Sequence, residues 1–223
     1  MRKIIAIVFA LLLPVHSFAG SIVTSGTGGS IVTTGFQIGN GTGNTGYVEF
    51  TAASSVFASG STVGWTNPTN ALTNLGTFAN ANSISPGDYS YYLHVTNASS
   101  ALAELLQTSS IDGIEVELSI TGDDGGPDEM YDENVQLIIG GTRTGTDKGS
   151  HTQLTDASIN TLVYGGPSDL WGLTPTASQL TASDFGVGIR ILSDGGSTAS
   201  VEIYRVRIKV YYSGSVGSVV TTP

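Results

Sequence analysis

The stretch TGDDGGPDEMYDEN, residues 121–134, brings Asp123, Asp124, Asp128, Glu129, Asp132 and Glu133 within a few positions of one another. Hard oxygen donors on a turn made of Gly and Pro are the ligands that Ca2+ prefers, and weak extracellular sites tolerate loose geometry. Asp123, Asp124, Asp128 and Asp132 are the candidate ligands, for an ion that stiffens the turn and performs no catalysis. The spacing is not that of an EF-hand loop. The plainer reading is a solvated acidic hairpin.

Other chemistry has fewer residues to draw on. Glu115 and Glu117 sit two apart on a β-prone run, with Cα atoms roughly 6.5–7 Å apart at strand rise. Paired carboxylates can cleave glycosidic bonds. Here Arg205, Arg207 and Lys209 form an alternating basic stripe that could pair with them across strands, which needs no function at all. The chain has three histidines and no cysteine, so a catalytic zinc would have to lean on carboxylates. No Gly-x-Ser-x-Gly elbow is present. The GTGNTG at residues 41–46 has no βαβ unit around it and is an accident of a glycine-rich tract. These gaps argue against an enzyme.

Aromatic side chains offer a different chemistry. A β-sheet can hold flat rings against sugars, and Trp65, Trp171, Tyr131 and Tyr164 are the candidate ligand contacts, with Tyr91 and Tyr92 beside them. Trp171, inside SDLWGL, reads first as a residue that fills the core or staples its turn. A solvent-facing pair of coplanar rings would decide for sugar binding.

Export and solubility come from the ends of the chain. Arg2 and Lys3, an apolar run over residues 4–15 and Ser17-Phe18-Ala19 make a signal peptide over residues 1–19. The run is short for a membrane span and carries Pro14. No later segment is apolar enough to cross a bilayer, so a secreted, extracellular or cell-surface location is expected. Arg2 and Lys3 belong to the leader, which leaves six basic residues against eighteen acidic ones. That balance excludes charge-driven binding of nucleic acid. Without cysteine, no disulfide framework can replace a hydrophobic core.

Residues 20–46 form a Gly/Ser/Thr-rich extension, residues 47–213 the folded domain and residues 214–223 a tail. Within the extension GSIVT occurs twice, at residues 20–24 and 29–33, and GSVVTTP closes the chain. β-Branched islands bordered by glycine favour extended backbone. Ser21, Ile22, Val23, Thr24, Ile31, Val32 and Thr33 could add as a strand to the sheet of a neighbouring copy. Repeated head to tail, such addition makes a filament or a layer.

These features need elements to hold them, and the domain's alternation supplies strands. Tyr89, Tyr91, Leu93 and Val95 alternate with polar residues, as do Ile114, Val116, Leu118 and Ile120. Val135, Leu137 and Ile139 repeat the pattern, followed by Phe185, Val187, Ile189 and Ile191. Period-two runs between Gly/Asp/Ser/Pro turns specify an all-β fold, a single antiparallel β-sandwich of jelly-roll type. One or two short helical turns fit at residues 98–107 and 176–183. In SVEIYRVRIKVYY, residues 200–212, Val201 and Ile203 share one parity while Val206, Ile208 and Val210 share the other. A slip of one residue would turn the later side chains outward. A β-bulge near Tyr204 and Arg205 is therefore expected.

The order WTNPTNALTNLGTFA, IDGIEVEL, YDENVQLIIGG, YGGPSDLWGLTPT, DFGVGIRI and VEIYRVRIKVYY resembles a β-sandwich module that recurs in phage structural proteins and in secreted or surface proteins of bacteria. The resemblance runs over residues 65–212, and GGPSDLWGL is its most distinctive part. It implies a sandwich and no catalytic residues. The export leader sets this chain apart from a virion component. The combined expectation is a secreted, non-enzymatic structural or adhesive protein whose partners are further copies of itself or cell-surface components. The alternative is a carbohydrate-binding module with a polysaccharide as partner.

Overall fold

The computed structural model describes residues 42–73, 76–98, 102, 109–122, 129–155 and 158–214. The expected leader, the islands at Ser21, Ile22, Val23, Thr24, Ile31, Val32 and Thr33, and the acids Asp123, Asp124 and Asp128 lie outside the described residues.

The strands, in chain order, are β1 (Thr42–Asn44), β2 (Val48–Val56), β3 (Ser61–Val63), β4 (Ala79–Ile84), β5 (Tyr89–Ser90), β6 (Tyr92–Ala98) and β7 (Ser109–Gly122). They continue as β8 (Met130–Ile139), β9 (Thr142–Thr144), β10 (Gln153–Leu154), β11 (Asn160–Gly166), β12 (Gly186–Ser193) and β13 (Ala199–Gly214). Alternating branched residues fix the layers. Ile114, Val116, Leu118 and Ile120 of β7 and Val206, Ile208 and Val210 of β13 are fully buried on one face. The two strands pair antiparallel, with Ile208 opposite Val116, and β11 joins the other side of β7. The free flank of β13 is shared by β4, the start of β2, and β1. Thr42, Gly43 and Asn44, placed by sequence in the extension, thus pair with β13 of their own chain.

The second layer runs β2, β6, β12, β8, and its inward residues Leu93, Val95, Val135, Leu137, Val187, Ile189 and Ile191 are fully buried. β2 serves both layers. Val48 and Glu49 pair with β13, then Phe50 to Val56 pair with β6, so one strand makes a corner of the sandwich. The pairings are antiparallel except for the short β3–β5 contact. Each fully buried Val, Leu or Ile contributes about 1.5–3 kcal/mol, so a core of this kind holds the layers together without disulfides. The fold is an all-β sandwich.

The expected bulge is present. Ile203 faces Ile120 and Arg205 faces Ser119, which leaves Tyr204 as the extra residue and restores the inward parity of Val206. The charge stripes pair across strands: Arg207 Nε donates to Glu117 Oε1 at 2.7 Å and Lys209 Nζ to Glu115 Oε1 at 2.6 Å. Tyr47 lies between these cations, 4.0 Å from each, and donates its hydroxyl to Glu115 at 2.6 Å. Burial and that bond push the Tyr47 phenol up to about 12. Burial alone would raise the Glu115 carboxyl, but hydrogen bonds from Lys209, Tyr47 and Tyr211 outweigh it and hold it low. Glu115 and Glu117 are thus committed to cations.

Of the helical candidates, α1 (Ala177–Leu180) forms behind a capping box at Thr176 and Gln179. Residues 98–107 are described only at Ala98 and Leu102. A 3-10 turn at Pro68–Leu72, which periodicity does not reveal, buries Ala71 and Leu72.

Candidate ligand-binding face

Three of the four aromatic candidates belong to the core. Trp65 is buried and donates Nε1 to the Tyr91 carbonyl at 2.7 Å. Trp171 is fully buried and donates Nε1 to the Ile114 carbonyl at 3.0 Å. Tyr164 is buried with its hydroxyl on Asp132 Oδ2 at 3.0 Å, and burial followed by that carboxylate pushes its phenol far up. Their ring faces are covered by packing, so they cannot stack on a sugar. Tyr131 is half-buried, and His151 lies parallel to it at 4.2 Å, occupying one ring face.

Asp132 is buried as well. It points inward with no exposed surface, and its two oxygens accept from Ser150 N, Ser150 Oγ, Thr152 N and Tyr164 Oη. Three of these donors fall on Oδ2 and one on Oδ1, so the buried carboxylate is engaged within the protein. Asp132 ties the layers together instead. Among the described residues no three His, Asp or Glu side chains gather as a metal site requires.

Polar side chains do converge on the outer face of β6, β12 and β8. The inward parity of β12 holds Val187, Ile189 and Ile191, so Gly186, Gly188 and Arg190 take the outward one. Gly188 faces His94 on one side and Gln136 on the other, and Arg190 faces Asn134. Glycine within a strand marks a place where something passes close. Here it is Arg143 of β9: a Cβ at position 188 would lie 2.7 Å from Arg143 Cδ. The arginine stem crosses that gap and sets its guanidinium carbon 3.6 Å from the Tyr92 ring centroid. Arg143 Nη1 reaches His94 Nε2 at 2.8 Å. Tyr92 spans to β8, donating its hydroxyl to Asn134 Oδ1 at 3.1 Å.

Arg190 approaches from the other side, 4.0 Å from the Tyr89 ring centroid and 5.6 Å from that of Tyr92. Its Nη2 donates to the Ser59 carbonyl at 3.4 Å, and its Nε is buried without a partner. His94 is held down to about 4 by burial first and by Arg143 second. It is neutral at pH 7, and because Arg143 can only donate, Nε2 is the accepting nitrogen. The cations of this face are therefore the two arginines.

A shallow open depression of about 320 Å3 lies nearby, lined by Ile139, Thr142, Thr144, Leu173, Pro175 and Gln179 among others. It holds no charged or aromatic group. The chemistry is on the sheet face.

Tyr92 is legible in the sequence as a candidate aromatic, whereas Arg143 and Arg190 do not stand out there. A signal for Arg190 exists in GVGIR, where the apolar residues of one parity leave Gly, Gly and Arg on the other. Arg143 has no comparable signal, because only the β8–β9 hairpin carries it over Gly188.

No protein-family profile and no curated protein sequence matches the chain. Among solved structures it is similar to the CBM22-1 xylan-binding domain of Paenibacillus barcinonensis Xyn10C, with 11% identity and a TM-score of 0.38, covering 78% of this chain and 97% of that one. The xylan-binding module CBM15 gives 13% identity and a TM-score of 0.36, with coverage of 78% and 97%. The CBM22-1 and GH10 modules of Clostridium thermocellum xylanase 10B, complexed with xylohexaose, give 8% and 0.37, over 79% of this chain and 28% of that one. At this level the likeness assigns neither family nor ligand. Among the described residues no helix is long and apolar enough to cross a membrane.

Proposed function

We propose that this chain is an exported, non-catalytic β-sandwich that binds polysaccharide across the outer face of β6, β12 and β8. The observation that carries the reading is the convergence of planar hydrogen-bonding groups of Arg143, Gln136, Asn134 and His94 on one sheet face, where Gly188 leaves room for the Arg143 stem. A sugar chain is oriented by placed polar groups of this kind. Pull-down of the chain with a panel of neutral and acidic plant and bacterial polysaccharides tests it. At least one polymer should be retained, and Gln136→Ala with Arg143→Ala should weaken that retention about tenfold, or ~1.4 kcal/mol. Retention of none, or retention unchanged by the double substitution, refutes the reading.

A second reading, self-assembly by strand addition, is favoured by one feature. β11 pairs only with β7 among the described residues, and Ile159 and Val163 beside this edge are exposed. An unpaired edge accepts a further strand. If residues 20–35 supply it, light scattering should find the intact protein associated and the protein lacking them folded and monomeric. A truncated protein that still polymerises ends this reading.

A further inference from the structure

The basic residues of the domain divide in a way that points to a ligand. Lys148 pairs with Asp169 at 2.6 Å, Arg205 and Arg207 with Glu117 at 3.7 and 2.7 Å, and Lys209 with Glu115 at 2.6 Å. Arg143 and Arg190 have no carboxylate partner among the described residues, although the chain has eighteen acids to eight bases. Both lie over Tyr92 on the face described above. Among the described residues no carboxylate contacts them. Asp147 spends its oxygens on Val135 N, Gly149 N and Asn134 Nδ2 and makes no ion pair with either arginine, and His94 presents an uncharged nitrogen.

We infer that the ligand of this face is acidic, a polysaccharide whose sugar units carry carboxylates, with Arg143 and Arg190 as its charge-reading residues. The inference rests on the reading of this face as a polysaccharide site.

Three features favour a carboxylate over a neutral sugar. Neutral-sugar sites depend on open ring faces, whereas the tryptophans are buried and Tyr92 is covered by the arginines themselves. A guanidinium presents a planar fork that matches a carboxylate through two parallel bonds, a match that lysine lacks. Both forks are also immobilised before any ligand arrives, Arg143 by Tyr92, His94 and the space over Gly188, and Arg190 by Tyr89 and Ser59. Side chains already ordered lose less entropy on binding. The rest of the protein is strongly acidic, so attraction is confined to this face. At physiological salt the screening length of about 8 Å keeps the remote acids from opposing it.

The test compares polygalacturonate with the same polymer after reduction of its carboxyl groups, using the full chain in 0.15 M salt and reading affinity electrophoresis and calorimetry. Free galacturonate and neutral xylan serve as further arms. Polygalacturonate is expected to bind at least tenfold more tightly than its reduced form. Arg143→Gln and Arg190→Gln should each weaken it about fivefold or more, and Arg143→Lys should restore only part of the loss. Free galacturonate should bind far more weakly than the polymer. Equal affinity for the reduced polymer, or a preference for xylan, overturns the acidic ligand and leaves the polysaccharide reading standing. Equal occupancy by the free monosaccharide, mole for mole, overturns the polymer and keeps only a carboxylate site. Failure of all of these to bind overturns the acidic ligand, and the wider polysaccharide panel then decides the reading of the face. The comparison of polymers uses the wild-type chain, so it decides the matter even where a variant fails to fold.

Discussion

Asp132→Ala is expected to lower the free energy of unfolding by about 3–5 kcal/mol, read as a reduced urea midpoint at unchanged slope. The magnitude follows from what the carboxylate satisfies. With Asp132 gone, the Thr152 N–H, the Ser150 N–H and the Tyr164 hydroxyl lose their acceptor. Each buried donor left unpaired costs roughly 1–3 kcal/mol. Some of these groups can find water at the exposed 150–152 segment, so the sum falls short of its maximum. Asp132→Asn should cost less, since one carbonyl oxygen remains and the hydroxyls of Tyr164 and Ser150 can turn to accept, although the backbone N–H groups cannot. The bond from Tyr164 joins β11 of one layer to β8 of the other, so the loss should show in global unfolding and not merely in a frayed turn. A loss below about 1 kcal/mol for Asp132→Ala would mean that water already serves these donors.

The same residue shows how far the sequence can be read. Periodicity locates β7, β8, β12 and β13, because branched residues alternate over long runs of each. It also locates the bulge to Tyr204 and Arg205, because a parity change in a strand with one buried face has few other solutions, and the register then singles out Tyr204. A second irregularity is harder to see. β12 pairs Arg190 with Asn134 and then Ile191 with Asp132, so the step skips Glu133 and turns Asp132 inward. Among so many neighbouring acids, an inward carboxylate looks no different from a solvated one. The binding face is obscure for a related reason. Its floor is glycine, which gives no pattern, and its arginines come from strands that meet only through the β8–β9 hairpin and the register of β12. The charge stripes of β7 and β13 are legible because both partners repeat at period two. Arg143 and Arg190 are isolated charges, and only the fold shows that they share one ring.

Trp171→Ala is expected to cost about 3–5 kcal/mol, the usual range for removing a fully buried large aromatic, and for a domain of this size to lower Tm by about 10 °C. The GGPSDLWGL turn converges on this side chain. Asp169 Oδ1 accepts the Trp171 N–H at 2.8 Å while Oδ2 takes Lys148 Nζ at 2.6 Å, and the Trp171 carbonyl accepts from Thr146 N at 2.7 Å. Lys148, before that backbone, pulls the Asp169 carboxyl below its usual range. Gly165, at φ +77°, lets the end of β11 run against Ile114; a Cβ there would meet Trp171 Nε1 at 2.7 Å. The indole, β7 and the 144–148 segment are thereby joined at one point. Trp171 itself sits at φ 59°, a left-handed conformation that a residue with a Cβ holds only at a cost of roughly 1–3 kcal/mol. That strain makes the prediction discriminating. Alanine creates the cavity and keeps the strain, whereas glycine creates the same cavity and relieves it. Trp171→Gly should therefore be no less stable than Trp171→Ala, and more stable by up to about 1 kcal/mol, against the ordinary order of the two residues. If glycine proves clearly worse, the turn has relaxed out of the left-handed region once the indole is gone. The packing of Trp171, and not the Asp169 and Thr146 bonds, would then be what holds the conformation.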